Sequence, residues 1–179
     1  MNSKFLIEPH DEWIRGNYAF CPKCGGQLDR RSLQPAEPER LVCRSCRFIF
    51  FLDPKVAVGT IVSLDGRLVL LKRGIEPAYG KWVFPGGFVD RGERVEEAAV
   101  RETREESRLD VRLTGLLNIY SYPDHPVIII VYMADVIGGA PSAGDETLEA
   151  ALFEPSAIPW KDLAFPSTAE ALHDYLAKG

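Results

Sequence analysis

Residues Gly87 to Leu109 read GFVDRGERVEEAAVRETREESRL, which places Glu102, Glu105 and Glu106 at i, i+3 and i+4 of one expected helix, Glu93 to Ser107. Side chains three and four apart on a helix lie about 5–6 Å from one another at Cβ, and like charges at that spacing repel. A divalent cation reverses the sign. Hard cations take oxygen ligands, commonly one or two carboxylates completed by waters and substrate phosphates. At about 100° per residue, Val95, Ala98 and Ala99 form a narrow apolar face whose continuation meets Glu102 and Glu106. Glu96 and Glu97 point away from that face. Inward carboxylates are costly unless paired or bound to a cation, and Arg101 and Arg104 flank these. The competing reading is a solvated helix laced with salt bridges.

The residues upstream favour the metal reading. Phe84-Pro85-Gly86-Gly87 is a turn with two permissive positions, which lets backbone approach a ligand closely. A short loop, Asp90-Arg91-Gly92-Glu93, then leads into the helix. This order of loop and acid-bearing helix suits a metal held against a diphosphate, and so an enzyme that handles phosphates.

The same residues resemble the Nudix hydrolase signature. Gly87 supplies its first glycine, Glu93 its first acid, Arg101-Glu102 its Arg-Glu pair, Glu105-Glu106 its paired acids and Leu109 its last aliphatic. Two positions depart: Thr103 replaces an aliphatic, and Arg108 stands where the family has a left-handed glycine at the helix end. An arginine there costs about 1 kcal/mol, or the helix ends differently. The resemblance implies an α+β fold, a Nudix-type α/β/α sandwich with a mixed sheet. It also implies attack of water on a pyrophosphate bond with catalytic Mg²⁺ or Mn²⁺. In that reading Glu102, Glu105 and Glu106 are metal ligands, the Gly86 carbonyl is a further one, and Glu93 and Arg101 orient the acids. One of the glutamates serves as base. Asp145-Glu-Thr-Leu-Glu149 is the expected source of one more acid, with Glu146 ahead of Glu149. Arg73 is read either as a phosphate contact or as a surface cation, and Phe51 either as a stacking platform for a flat ring or as core. His10, His125 and His173 sit in no ligand spacing.

Cys21-Pro-Lys-Cys24 and Cys43-Arg-Ser-Cys46 are two Cys-x₂-Cys knuckles separated by eighteen residues, a spacing that reads as a tetrahedral zinc site. Four thiolates leave no open position, so the Zn²⁺ is expected to be structural. A disulfide framework needs an oxidising compartment, and a redox Cys-x-x-Cys needs one pair rather than two. Gly25-Gly26 suits a tight first knuckle; Arg47 after the second pair suggests a less regular one. So small a segment draws its folding energy from the metal.

The chain has 179 residues, is 46% hydrophobic and carries a formal net charge of −5. The expected organisation is an N-terminal segment (1–17), a zinc ribbon (18–52) and a Nudix domain (53–179). No run of eighteen apolar residues predicts a membrane helix, and Met1 to Gly16 lacks the apolar core of a secretory signal. Thiolates on zinc suit the cytoplasm. The acidic balance argues against a stable nucleic-acid partner, and a homodimer is expected from the family resemblance alone. Asp65-Gly66 is a strong hairpin signal between Val56–Leu64 and Arg67–Lys72. Val111–Tyr120, Pro126–Val136 and Leu148–Glu154 are further expected strands, Gly138–Thr147 is an expected loop, and Ser167-Thr-Ala-Glu170 reads as a capping box opening a last helix.

A zinc ribbon before a Nudix domain is similar to two groups. The NADH pyrophosphatases, which also act on NAD-capped RNA, carry a Ser-Gln-Pro-Trp-Pro-Phe-Pro run; Leu117-Asn-Ile-Tyr-Ser-Tyr-Pro123 stands here instead. The plant-type FAD and ADP-ribose pyrophosphatases resemble nearly the whole chain after residue 19, including Glu146 to Glu149 and Asp162-Leu-Ala-Phe165. The resemblance therefore implies a nucleotide substrate, ADP-ribose or FAD ahead of NADH, with AMP released. A nucleotide-sensing or RNA-binding module that has lost catalysis is the reading from another class, and the intact set of acids stands against it.

Overall fold

The computed structural model describes residues 18–123 and 125–178; Trp13 and His10 lie outside them. It divides into two compact units, one ending at Pro54 and including Pro123–Pro126, the other made of Lys55–Tyr122 and Val127 onwards.

The first unit is a three-stranded antiparallel sheet of β1 (Leu28–Arg31), β2 (Arg40–Cys43) and β3 (Ile49–Phe50), in that order. The two cysteine knuckles are built alike. The Gly25 N–H donates to the Cys21 carbonyl at 2.9 Å and the Arg47 N–H donates to the Cys43 carbonyl at 3.1 Å. Gly25 and Arg47 both have positive φ, 73° and 59°. The second knuckle is thus as regular as the first, contrary to expectation: the turn geometry is imposed on the arginine. Tyr18 packs its ring on Phe50 at 5.1 Å, within this unit.

The second unit holds a seven-stranded mixed sheet. Its strands are β4 (Lys55–Leu64), β5 (Arg67–Arg73), β6 (Trp82–Val83), β7 (Gly86–Phe88), β8 (Leu109–Tyr120), β9 (Val127–Gly139) and β10 (Thr147–Phe153). The main path runs β10-β5-β4-β9-β8, with β6 on β5 and β7 on β4. Only β4 and β9 pair in parallel. The hairpin expected at Asp65-Gly66 is present, with φ of 51° and 77° at its two central residues. β4 touches β5 only at Ser63 and Leu64, and its earlier half pairs instead with β7, Gly59 opposite Gly86. This splay carries the Gly86-Gly87 backbone into the middle of the domain.

Alternation along the strands builds two apolar faces. Leu68 and Leu70 join Ile61, Leu117 and Leu172 on one side; Val69 and Leu71 join Val62, Leu109 and Ala134 on the other. The period of two sends successive residues to opposite faces. Helix α1 (Val95–Ser107) covers the second side and α2 (Pro166–Lys178) the first. The result is the expected α/β/α sandwich.

Three local expectations change. The buried stripe of α1 runs Ala99, Thr103, Ser107 rather than on to Glu102 and Glu106, which flank it. Thr103 and Ser107 return their hydroxyls to the carbonyls of Ala99 and Thr103 at 2.7 and 2.5 Å, so small polar residues are buried without an unmet donor. The last helix begins at Pro166, one residue before the expected cap, because proline is preorganised for the first helical turn; Ser167 is buried inside it. β9 also continues through Gly138 and Gly139, so the following loop is shorter than expected.

Arg108 ends α1 in the left-handed region, φ 59° and ψ 20°, with its N–H on the Arg104 carbonyl. Its guanidinium lies 3.5 Å from Asp145, an almost fully exposed partner, so the pair adds little. Replacing Arg108 with Gly relieves the Cβ strain and is expected to raise the unfolding free energy by about 0.5–1 kcal/mol. Urea denaturation checks this; an unchanged or lower midpoint would contradict the strain.

Candidate active site and metal centre

The inner face of α1 meets β7 where both glycines of Gly86-Gly87 are needed. A Cβ on Gly87 would fall 2.4 Å from Glu102 Cδ, and one on Gly86 would fall 2.3 Å from the Val58 carbonyl oxygen. Gly87 therefore lets the acid-bearing helix lie directly on β7, and Gly86 lets β7 lie close against β4.

Arg101 sits among the acids. Its Nε and one terminal nitrogen donate to the two Glu93 oxygens at 2.8 and 2.9 Å, a bidentate pairing, while its other terminal nitrogen donates to Glu102 at 2.8 Å and Glu105 at 3.1 Å. A further bond runs to the Phe88 carbonyl at 3.2 Å. Bidentate guanidinium–carboxylate pairs are the strong, geometry-fixing kind. The Arg101 guanidinium holds the Glu93 carboxyl down at about 2. Glu106 sits on the other side of the site and accepts the Gly86 N–H at 2.8 Å. Burial pushes its carboxyl up to about 7; the Gly86 N–H and Arg73 oppose this shift, and Glu102 and Glu146 add to it. Burial also raises Glu102.

One oxygen each of Glu102, Glu105 and Glu106 is engaged in this way, and the other makes no hydrogen bond to a donor among the described residues. The three side chains do not gather as tightly as the cysteines do, since Arg101 holds two of them and the Gly86 N–H the third. A cage is not required: Mg²⁺ keeps several waters and takes one or two carboxylates with substrate phosphate. The donor set is hard oxygen throughout, and fits Mg²⁺ or Mn²⁺.

The loop between β9 and β10 is fastened to the end of α1. Ser142 donates its N–H to the Ser107 carbonyl and Gly144 to the Glu106 carbonyl, both at 3.0 Å. A Cβ on Gly144 would strike the Glu105 carbonyl at 2.1 Å. Glu146 follows, exposed, its own carbonyl taking the Gly74 N–H at 2.8 Å. Both Glu146 and Glu106 act electrostatically on Arg73, a half-buried cation that donates to the Pro77 carbonyl at 2.9 Å and lies 5.1 Å over the Phe165 ring. The fold thus brings Glu146 and Arg73 to the acids of α1. Glu149 instead stands on β10 beside Lys72, at 3.7 Å. Phe51 belongs to the first unit, exposed, with Arg40 5.2 Å from its ring centre. Of the histidines, His173 stacks on Trp160 at 4.2 Å and His125 is exposed.

Sequence reasoning missed the Gly86 N–H as partner of Glu106, having weighed only its carbonyl. It also missed Phe165 beneath Arg73 and the buried hydroxyl pair Thr60–Thr103 at 2.6 Å, which ties α1 to β4. Gly144 ahead of Glu146 was the available signal for the fastened loop.

In the first unit the four cysteine sulfurs lie within 4.8 Å of one another, with Cys21–Cys46 at 3.8 Å and Cys24–Cys43 at 3.5 Å. A tetrahedron with Zn–S bonds near 2.3 Å has edges of about 3.8 Å, so the thiols fit zinc. The backbone N–H of Cys46 donates to the Cys43 sulfur at 3.5 Å and favours its thiolate form.

Residues 53–175 match the family described as NUDIX domain, and residues 19–51 match the one described as Nudix N-terminal, a zinc ribbon. The chain belongs to the Nudix hydrolases. An ADP-ribose pyrophosphatase of Methanocaldococcus jannaschii is 42% identical over 134 residues, covering 73% of this chain and 78% of that protein. The NAD-capped RNA hydrolase NudC of Pectobacterium atrosepticum is 27% identical over 69% of this chain, which spans only 45% of that longer protein. A NUDIX hydrolase structure from Nitrosomonas europaea superposes with a TM-score of 0.84 at 34% identity, covering 89% of this chain and 90% of that one. This Nudix chain is a pyrophosphohydrolase that uses Mg²⁺ or Mn²⁺ for catalysis and carries a structural zinc ribbon. Among the described residues no helix is long and apolar enough to cross a membrane.

Two outcomes follow for the metals. The purified protein is expected to hold about one zinc per chain, and Cys43→Ser to lose it; metal analysis that found none, with oxidised cysteines, would contradict the centre. At Glu106, a carboxyl raised from 4.5 to about 7 favours the metal-free fold below pH 4.5 and loses that contribution as the pH climbs through about 7. Glu93 titrates well below this window. Mg²⁺ requires the ionised form, so the rise in Tm on adding Mg²⁺ is expected to grow between about pH 6 and pH 8. Thermal melts with and without Mg²⁺ test this, and an increment independent of pH would count against Glu106 as a ligand.

Proposed function

We propose that the protein hydrolyses the pyrophosphate bond of a nucleoside diphosphate linked to a second moiety, ADP-ribose or FAD ahead of NADH or NAD-capped RNA, with AMP as one product. The observation that carries this is the setting of Glu102 and Glu106 against the Gly86-Gly87 backbone, with Glu105 joined to Glu102 through Arg101 and the loop bearing Glu146 fastened to the end of the same helix. The substrate preference rests on likeness to the ADP-ribose pyrophosphatase and on the absence of the NADH-type run after the signature. In this reading residues 53–179 carry the chemistry and 18–52 form the ribbon.

Glu102, Glu105, Glu106 and Glu146, with the Gly86 carbonyl, would hold the catalytic ions. A bound Mg²⁺ or Mn²⁺ would supply positive charge and Lewis acidity to the diphosphate. Glu93 fixes Arg101, and Arg101 sets one oxygen each of Glu102 and Glu105, so the other oxygen of each is oriented before substrate arrives. The Gly86 N–H does the same for Glu106. Arg73, backed by Phe165, takes a phosphate oxygen of the substrate, which its half-buried setting strengthens. One of the glutamates receives the proton of the attacking water. Glu149, beside Lys72, is the substrate-side acid.

A panel of ADP-ribose, FAD, NADH and NAD-capped RNA at one metal concentration tests the reading. AMP release is expected to be fastest from ADP-ribose or FAD. Glu106→Gln keeps an acceptor for the Gly86 N–H but removes the charge; kcat is expected to fall about a hundred-fold or more, while the metal-free variant becomes more stable than wild type at pH 8. Tight dinucleotide binding without turnover of any substrate would favour a sensor instead.

A further inference from the structure

The first unit carries a groove of about 300 Å³ lined by Tyr18, Phe20, Leu28, Arg30, Leu41 and Arg44. None of these residues is a zinc ligand, and the hydrolytic reading uses none of them. Phe20 is 65% exposed, the largest exposure of any large hydrophobic side chain among the described residues. A bridge to Gln27 fixes its backbone at the groove. The Arg44 guanidinium is held in a fixed plane: two of its nitrogens reach the Asp29 oxygens, each at 2.6 Å, and the third donates to Gln27 at 2.9 Å. Arg30 stands 3.9 Å from Glu39.

The chain's acidic balance conceals a segregation of charge. Residues 18–52 contain one lysine and five arginines against three acids, a local +3, while the rest of the chain sums to −8. A zinc held by four thiolates carries a formal −2, and the loaded ribbon is still positive. Lys23 and Arg47, one in each knuckle, make no ion pair among the described residues. Phe48 and Phe51 are also exposed, and Arg40 faces Phe51. Exposed aromatic rings and arginines, on a ribbon of net positive charge in an acidic protein, suit unpaired bases and their phosphates. A duplex hides its base faces and offers such rings nothing to stack on. The groove's volume is at the lower end for small-molecule pockets, about enough for one base.

We propose that this ribbon surface binds single-stranded nucleic acid, with Phe20 stacking on a base in the groove and Arg30 and Arg44 contacting the adjoining backbone. The site shares no residue with the hydrolytic one and does not require the bound strand to be cleaved.

Fluorescence anisotropy of the full zinc-loaded chain with a 3′-labelled twelve-nucleotide oligoribonucleotide bearing a 5′-hydroxyl, and so no pyrophosphate, tests this. With about three phosphate contacts, affinity is expected to fall roughly twenty-fold from 50 to 200 mM salt. Phe20→Ala is expected to weaken binding about ten-fold, and Arg30→Ala to reduce the salt slope by about one. Both variants should keep their zinc and their dinucleotide hydrolysis, and saturating ADP-ribose should not displace the strand from Glu106→Gln protein. Absence of salt-dependent binding, equal affinity of Phe20→Ala, or preference for the duplex would each overturn the proposal. So would sedimentation showing that Phe20 instead holds two copies together while no oligonucleotide binds.

Discussion

Arg101 donates at once to Glu93, Glu102 and Glu105, within hydrogen-bonding distance of each. Without it, acids at i, i+3 and i+4 on α1 would repel across a partly dehydrated face, and the helix would turn them to solvent. The guanidinium instead collects Glu102 and Glu105 while using only one oxygen of each, and the Gly86 N–H holds Glu106. Glu93, which carries the bidentate contact, lies before the first turn of α1 and so ties the entering loop to the helix body. Orientation and charge balance are therefore one interaction rather than two. A lysine could not reproduce it, because a point charge lacks the planar fork that reaches three carboxylates in fixed directions.

That arrangement is possible only because the helix lies very close to the sheet. Its buried side chains are Ala98, Ala99, Thr103 and Ser107, all small. Opposite them the sheet presents Gly86 and Gly87, where no side chain fits. Thr103 replaces the aliphatic residue of the family signature, and its hydroxyl meets Thr60 across the interface. A buried hydrogen bond substitutes here for part of an apolar contact. The cost of this close packing falls on Glu106, whose carboxyl is dehydrated with one backbone N–H as its hydrogen-bond partner among the described residues. The metal-free fold is thus destabilised at the position where a cation is most strongly invited, a tension common at functional sites.

Much of this was legible from residue order. The hairpin at Asp65-Gly66, the acids on one side of α1 and the paired knuckles each depend on short-range rules that hold in almost any context. What remained hidden depends on contacts between distant segments. Gly144 signals a close backbone approach, but residues 140–146 do not name the end of α1 as its target, where Ser142 and Gly144 donate and so fasten the loop that bears Glu146. Phe165 lies ninety-two positions from Arg73 and meets it only once the chain returns from β10. The capping box failed because Pro166 outcompetes Ser167 for the start of the helix, a case of two local signals in conflict. Arg47 and Arg108 show the reverse limit. Both occupy left-handed positions that favour glycine, so the surrounding hydrogen bonds, not the residue's preference, dictate those turns.

The two units also divide metal chemistry by ligand softness. Four clustered thiols suit a soft, tetrahedral ion and close its coordination; glutamate oxygens with room for water suit a hard ion that must exchange ligands during turnover. Because the ribbon's own core is small, its zinc is part of its fold rather than an addition to it. The surface that the ribbon offers to other molecules, Phe20 and the neighbouring arginines included, is then only as well ordered as that metal centre.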